Sequence, residues 1–144
     1  MKQIHTIRLK GPWDYTWLEP LRTGEENSPW ASGRVQAPVS WKDCFGDRAG
    51  CVRWSRRFQS PTNLASHERV LLALEGIRGV ERVCLNGSVL PMLLLENYEQ
   101  KYDLTDRLRP TNLIEIETRH SDEGDPAQSG LWSPVVLEIW STEN

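Results

Sequence analysis

Five residues carry side chains suited to carbohydrate recognition and fall where the chain is expected to turn. Asp43, Arg48 and Asn97 bear planar or forked polar groups, and Tyr98 and Trp132 bear aromatic faces. A pyranose presents an apolar C–H face to a ring and hydroxyls to polar groups, so the two types together form a recognition set. Trp30 adds a ring in a polar stretch, and Phe45-Gly46 lies between Asp43 and Arg48. Aromatic residues at such positions equally suit a lid over the end of a sandwich.

Other chemistries find less support. There is no GxSxG, no HExxH and no glycine-rich phosphate loop. Carboxylates are plentiful, but no pair is specified by spacing, and the chain is not expected to be an enzyme. His5, His67 and His120 are far apart and no CxxC occurs, so no metal site and no cofactor is expected. The acids at 122–125 lack an EF-hand pattern and read as a solvated loop. Cys44, Cys51 and Cys84 are too few for a disulfide framework. Cys44 and Cys51 are expected as thiols, a small bridged loop being the alternative.

A net charge of −3 argues against a nucleic-acid partner. No apolar run approaches the roughly 18 residues of a membrane helix. The first residues lack the apolar stretch of a cleavable signal, which favours a cytoplasmic location over export. Residues 1–72 hold 11 Lys and Arg against 7 Asp and Glu, and residues 73–144 hold 6 against 13. Interleaved halves would form ion pairs, although two mixed surfaces are equally compatible.

The elements that must position the candidate residues are short strands. At 144 residues the chain is expected to be one domain, spanning 1–144. Alternation predicts strands at 4–10, 33–39, 51–59, 68–75, 81–85 and 113–118, and a strand region over 131–140. Trp13, Tyr15 and Trp17 define a further strand at period two. Asn86-Gly87 is a strong hairpin signal, with Val89-Leu90 returning. Tyr98, Gln100, Tyr102 and Leu104 alternate toward Thr105, a candidate cap for one helical turn at 106–108. Residues 19–32 and 119–130 read as loops, and 39–50 as a surface connection. No long 3.6-residue period occurs, so the expected fold is an all-β sandwich. The expected core contains Trp54, Phe58, Val70, Leu72, Leu74, Val83, Leu85, Ile114 and Ile116. Stretch 68–75 is apolar on both faces, as a covered central strand would be. Arg56 shares the face of Trp54 and Phe58, so it is expected partly buried beside a carboxylate.

The order of these pieces resembles the N-terminal sugar-binding domain of family-2 glycoside hydrolases, a jelly-roll, galactose-binding-like β-sandwich. The pieces are Val35-Gln-Ala-Pro-Val-Ser-Trp41, Gly50-Cys-Val-Arg-Trp-Ser-Arg-Arg-Phe58 and Gly76-Ile-Arg-Gly-Val-Glu-Arg-Val-Cys-Leu-Asn-Gly87. Tyr102-Asp-Leu-Thr-Asp-Arg-Leu108, Asn112-Leu-Ile-Glu-Ile116 and Gly130-Leu-Trp-Ser-Pro-Val135 follow in the family's order. The resemblance implies a jelly-roll sandwich that binds carbohydrate without catalysing, since the family's chemistry lies in a separate barrel. The segment 90–105 departs from the family's pattern of a His and a Gly-Gly-Tyr stretch, with Tyr98 matching the family Tyr.

The resulting expectation is a carbohydrate-binding module whose site uses Asp43, Arg48, Asn97, Tyr98 and Trp132 on loops at one end of the sandwich. The alternative is a protein-interaction module that keeps the fold, with residues 90–98 at a homodimer interface. A third possibility is a piece of a longer hydrolase. Leu93-Leu94-Leu95 cannot all face one side of a strand, so at least one is expected either under another loop or in an apolar patch that a partner covers.

Overall fold

Asn112, Ile114, Ile116, Thr118 and His120 are all buried, while the residues between them are half-buried or exposed. That alternation makes 111–120 a two-faced strand, and the same rule builds most of the molecule. The structure, a computed structural model, describes residues 2–96 and 99–142, without the side chains of 94–96. Its elements are β1 (Lys2–Arg8), β2 (Trp13–Glu19), β3 (Ser32–Val35), α1 (Trp41–Phe45), β4 (Gly50–Gln59), β5 (Glu68–Glu75) and β6 (Val80–Leu85). They continue as β7 (Ser88–Val89), β8 (Leu94–Glu96), β9 (Glu99–Asp103), β10 (Thr111–His120) and β11 (Val135–Ser141). Single 3₁₀ turns occur at Glu25–Asn27, Thr105–Arg107 and Pro126–Gln128.

Two antiparallel sheets form a β-sandwich. One runs β1-β11-β5-β9-β8 and the other β3-β2-β4-β10-β6-β7. All nine residues expected in the core are buried there. Trp13, Trp17, Trp41 and Trp54 are fully buried, whereas Trp30, Trp132 and Trp140 are half-buried. First-half strands border second-half strands at β4–β10 in one sheet and at β1–β11, β11–β5 and β5–β9 in the other, so opposite charges meet there. Arg53 on β4 faces Glu115 and Glu117 on β10, and Arg69 on β5 pairs with Asp103 on β9.

Strand β5 is central and apolar on both sides, but among the described residues no third layer covers its outer face. Leu71 and Ala73 are instead roofed by long side chains of the neighbouring strands. Leu71 lies between Glu138 and Asp103 in register, and Ala73 between Val136 and Lys101. Lys101 Nζ bridges to Glu138 at 2.8 Å and lies 4.8 Å from the centre of the Trp140 ring. The aliphatic stems and the indole thereby shield the apolar strand, with polar heads joined above it.

Several expectations are corrected. Residues 39–50 are not a surface connection. Ser40 accepts from Asp43 N at 3.1 Å and starts α1, whose Trp41 is fully buried. Thr105 does not cap a turn, because its hydroxyl donates to Asp103 Oδ1 and accepts from Val70 N. The last strand begins at Val135, four residues later than expected. Arg56 is half-buried without a carboxylate partner among the described residues: its Nη1 donates to Arg57 O at 3.1 Å, and its buried Nε has no acceptor. The β4–β10 register runs unbroken through Arg56, so no bulge has turned it outward.

Candidate functional site

The register assigns one end of the sandwich to the polar loops. Gly50 pairs with His120, Glu19 with Cys51, Val80 with Thr118, and Glu75 with Glu99. The connections 20–31, 46–49, 76–79 and 121–134 therefore all leave from this end. Asn97 and Tyr98 lie outside the described residues; the flanking pair Glu96 and Glu99 stands beside Glu75 at the same end.

The other candidates share this end without converging. Asp43 is exposed on α1. Trp41 Nε1 donates to Arg48 O at 2.8 Å, which ties the connection after α1 back to the helix. The Arg48 guanidinium lies 3.8 Å from the centre of the Trp30 ring and 5.1 Å from that of Trp17, with Glu25 3.9 Å away. Arg48 therefore covers one face of the ring that would have served as a sugar platform. Trp132 donates from Nε1 to Gly76 O at 3.1 Å and its ring lies along Gly76, steadying the 76–79 loop. No hydrogen bond or ion pair among the described residues joins Asp43, Arg48 and Trp132.

What this end does form is a cleft of about 160 Å³ between loop 76–79 and segment 119–129. Arg78, His120, Ser121, Asp125 and Gln128 line it. Gly79 fixes its floor, because φ is +69° and a Cβ there would stand 2.2 Å from Arg119 O. Arg119 N donates to Gly79 O at 2.8 Å, locking loop to strand. The Arg119 guanidinium is held by Glu81 at 2.8 Å and by Glu19, and both contacts push its pKa further up.

His120 is buried against Trp41 and contributes one edge of the cleft. Ser129 Oγ donates to Asp125 O at 3.0 Å, so it must accept from His120 Nδ1 at 2.8 Å. That assigns the proton to Nδ1 and leaves Nε2 as an acceptor. The serine proton is committed to a backbone carbonyl, so Ser129 and His120 do not form an activated nucleophile. Asp125 Oδ1 accepts from Ala127 N at 2.9 Å. Asp125 Oδ2, the Ser121 hydroxyl and the Gln128 amide have no protein partner among the described residues.

The thiols are unreactive by environment. Cys44, Cys51 and Cys84 are free. Burial, with Asp43 adding to it, pushes the Cys44 thiol up to about 11. Burial and a hydrogen bond to Glu81 do the same for Cys51, also to about 11. Among the described residues no group of three or more His, Cys, Asp or Glu could hold a metal ion. No helix among them is long and apolar enough to cross a membrane.

The cleft escaped the sequence reading because its two walls lie some forty residues apart. His120 was read as part of the 119–130 loop, whereas β10 runs on to His120 and buries it. Gly79 was visible as a turn residue, but its close approach to Arg119 appears only in three dimensions.

No family model matches the chain, and no curated protein does. Solved structures do match. A β-glucuronidase of an uncultured Clostridium sp. superposes with a TM-score of 0.73 at 17% identity, over 98% of this chain and 30% of that one. A Faecalibacterium prausnitzii β-glucuronidase gives 0.69 at 18%, over 98% and 32%. A Dictyoglomus thermophilum β-D-mannosidase gives 0.64 at 13%, over 96% and 23%. The chain spans less than a third of the length of each. It has the fold of a β-sandwich segment within such family-2 glycoside hydrolases, as the order of its sequence motifs implied.

Proposed function

We propose that the chain is a non-catalytic carbohydrate-binding β-sandwich module, related to the sugar-binding domain of family-2 glycoside hydrolases, and that the loop-end cleft is its site. The observation that carries this reading is the set of uncommitted polar groups lining the cleft. The Gln128 amide, the Ser121 hydroxyl and Asp125 Oδ2 supply both donors and acceptors, as sugar hydroxyls require. Each exchange with water nets only about 1 kcal/mol, so a monosaccharide should bind with a Kd on the order of 0.1–1 mM.

The test is protein-detected NMR with a panel of neutral and acidic monosaccharides. Binding should move the amides of 78–79 and 120–129, and Gln128→Ala should weaken it. A spectrum unmoved at tens of millimolar sugar would sink the proposal. A second reading, an assembly module, is supported by the opposite edge of the sandwich. Val89 (55%), Met92 (48%) and Leu93 (57%) are large apolar residues left exposed there. On that reading no sugar binds, and Leu93→Glu turns a dimer into a monomer in light scattering.

A further inference from the structure

A depression of about 520 Å³ lies away from the loop end. Pro12 and Leu113 wall it, and Asp14, Arg34, Arg56 and Arg57 supply its charges. Arg56 is six residues along β4 from Gly50, roughly 20 Å at the rise of a strand, so this is a separate place from the cleft.

Three arginines and one aspartate line the depression. Asp14 is already paired with Arg34 at 2.9 Å, in an exposed bridge. Arg57 is exposed and has no ion pair or side-chain hydrogen bond among the described residues. Arg56 is half-buried, and among the described residues its one acceptor is a neutral carbonyl, Arg57 O. The site carries a formal charge of +2 that the described chain does not neutralise. A guanidinium taken partly out of water is costly unless a negative partner compensates it.

We propose that this depression is an oxyanion site for a sulfate, phosphate or carboxylate group, lined by Arg34, Arg56 and Arg57. The fork of a guanidinium matches such groups through paired N–H donors. Burial depresses the Arg56 pKa, the direction expected of a desolvated cation that lacks its counter-charge. A free oxyanion and an anionic substituent on a saccharide share this chemistry, and the two sources are separable by experiment. The proposal does not depend on sugar binding at the cleft.

The experiment is an amide-resolved NMR titration with sodium sulfate against sodium chloride at matched ionic strength. Sulfate should shift amides 13–14, 34, 55–57 and 113 saturably, while the cleft amides 120–129 stay still. Arg57→Ala, an exposed change that leaves the fold intact, should weaken sulfate at least fivefold. Sulfate should also raise the melting temperature of the wild-type protein and not that of Arg56→Met. A sulfated monosaccharide binding at least tenfold tighter than sulfate would identify a saccharide substituent; equal affinity would identify a free oxyanion. Shifts that follow chloride equally, or unaltered sulfate affinity in Arg57→Ala, would overturn the proposal.

Discussion

The side-chain amide of Asn86 donates to Asn112 Oδ1 at 3.0 Å, joining the β6–β7 hairpin to the start of β10. Asn86 takes a left-handed φ of 52°, and its Oδ1 accepts from Leu113 N at 2.9 Å. Asn112 is fully buried and fully satisfied. Its Oδ1 also accepts from Arg109 N, and its Nδ2 donates to Arg109 O and Ser60 Oγ. Removing that amide strands several buried polar groups at once. Asn112→Ala is expected to cost about 2–4 kcal/mol in urea unfolding, since each group left unpaired costs about 1–3. A loss below about 1 kcal/mol would show that water replaces the amide.

This corner also shows what the sequence made legible. Asn86-Gly87 announced the hairpin because few residues tolerate its backbone angles. Alternation placed Ile114 and Ile116 in the core, because burial on one side of a strand imposes a period of two. The helix at Trp41 was missed because five residues are too few to show a 3.6-residue period. Its one local signal was present: Ser40 stands three residues before Asp43, the spacing of an N-terminal cap. The partners of Arg56 and Arg48 were not legible. A strand pattern gives the face a side chain leaves from, not what its far end reaches across a loop.

The roof over β5 gives a second prediction. The Lys101 side chain is 13% exposed and that of Glu138 8%, and they meet at 2.8 Å over Leu71 and Ala73. Glu138→Gln removes the nearer of two carboxylates that compensate a mostly buried ammonium, Glu99 remaining at 3.6 Å, and is expected to cost about 1.5–3 kcal/mol. Burial alone would lower the Lys101 pKa, but the bonds to Glu138 and Glu99 raise it. The stability from this shift is fully present below the unfolded lysine value, about 10.4, and is lost as pH rises through the higher folded value. Denaturant melts from pH 9 to 12 should show this alkaline loss in the wild type and not in Lys101→Met.

Acid should act through Asp103. Its burial opposes ionisation, yet hydrogen bonds from Thr105 and Arg69 hold its carboxyl below the usual range. The linked stability is present above the unfolded value of about 3.9 and is lost as pH falls through the lower folded value. Asp103→Asn should destabilise the protein at pH 7 and flatten its stability profile below pH 4. An acid limb unchanged in that variant would assign the loss to other carboxylates.

Trp132 is the aromatic candidate whose role the structure redefines. The ring is half-buried, so removing it should lower stability by only about 1–2 kcal/mol, short of the losses seen for buried tryptophans. Its indole N–H holds Gly76 O, and Gly76 opens the loop that brings Arg78 and Gly79 to the cleft. Trp132 thus acts on the cleft as a positioning residue. Trp132→Ala should raise amide exchange at 76–80 by tenfold or more and weaken sugar binding several-fold. Trp132→Phe keeps most of the packing but lacks the N–H. It should therefore lose loop protection while retaining nearly all the stability. If Trp132→Phe protects 76–80 as well as the wild type does, packing alone sets the loop, and the bond to Gly76 has no positioning role.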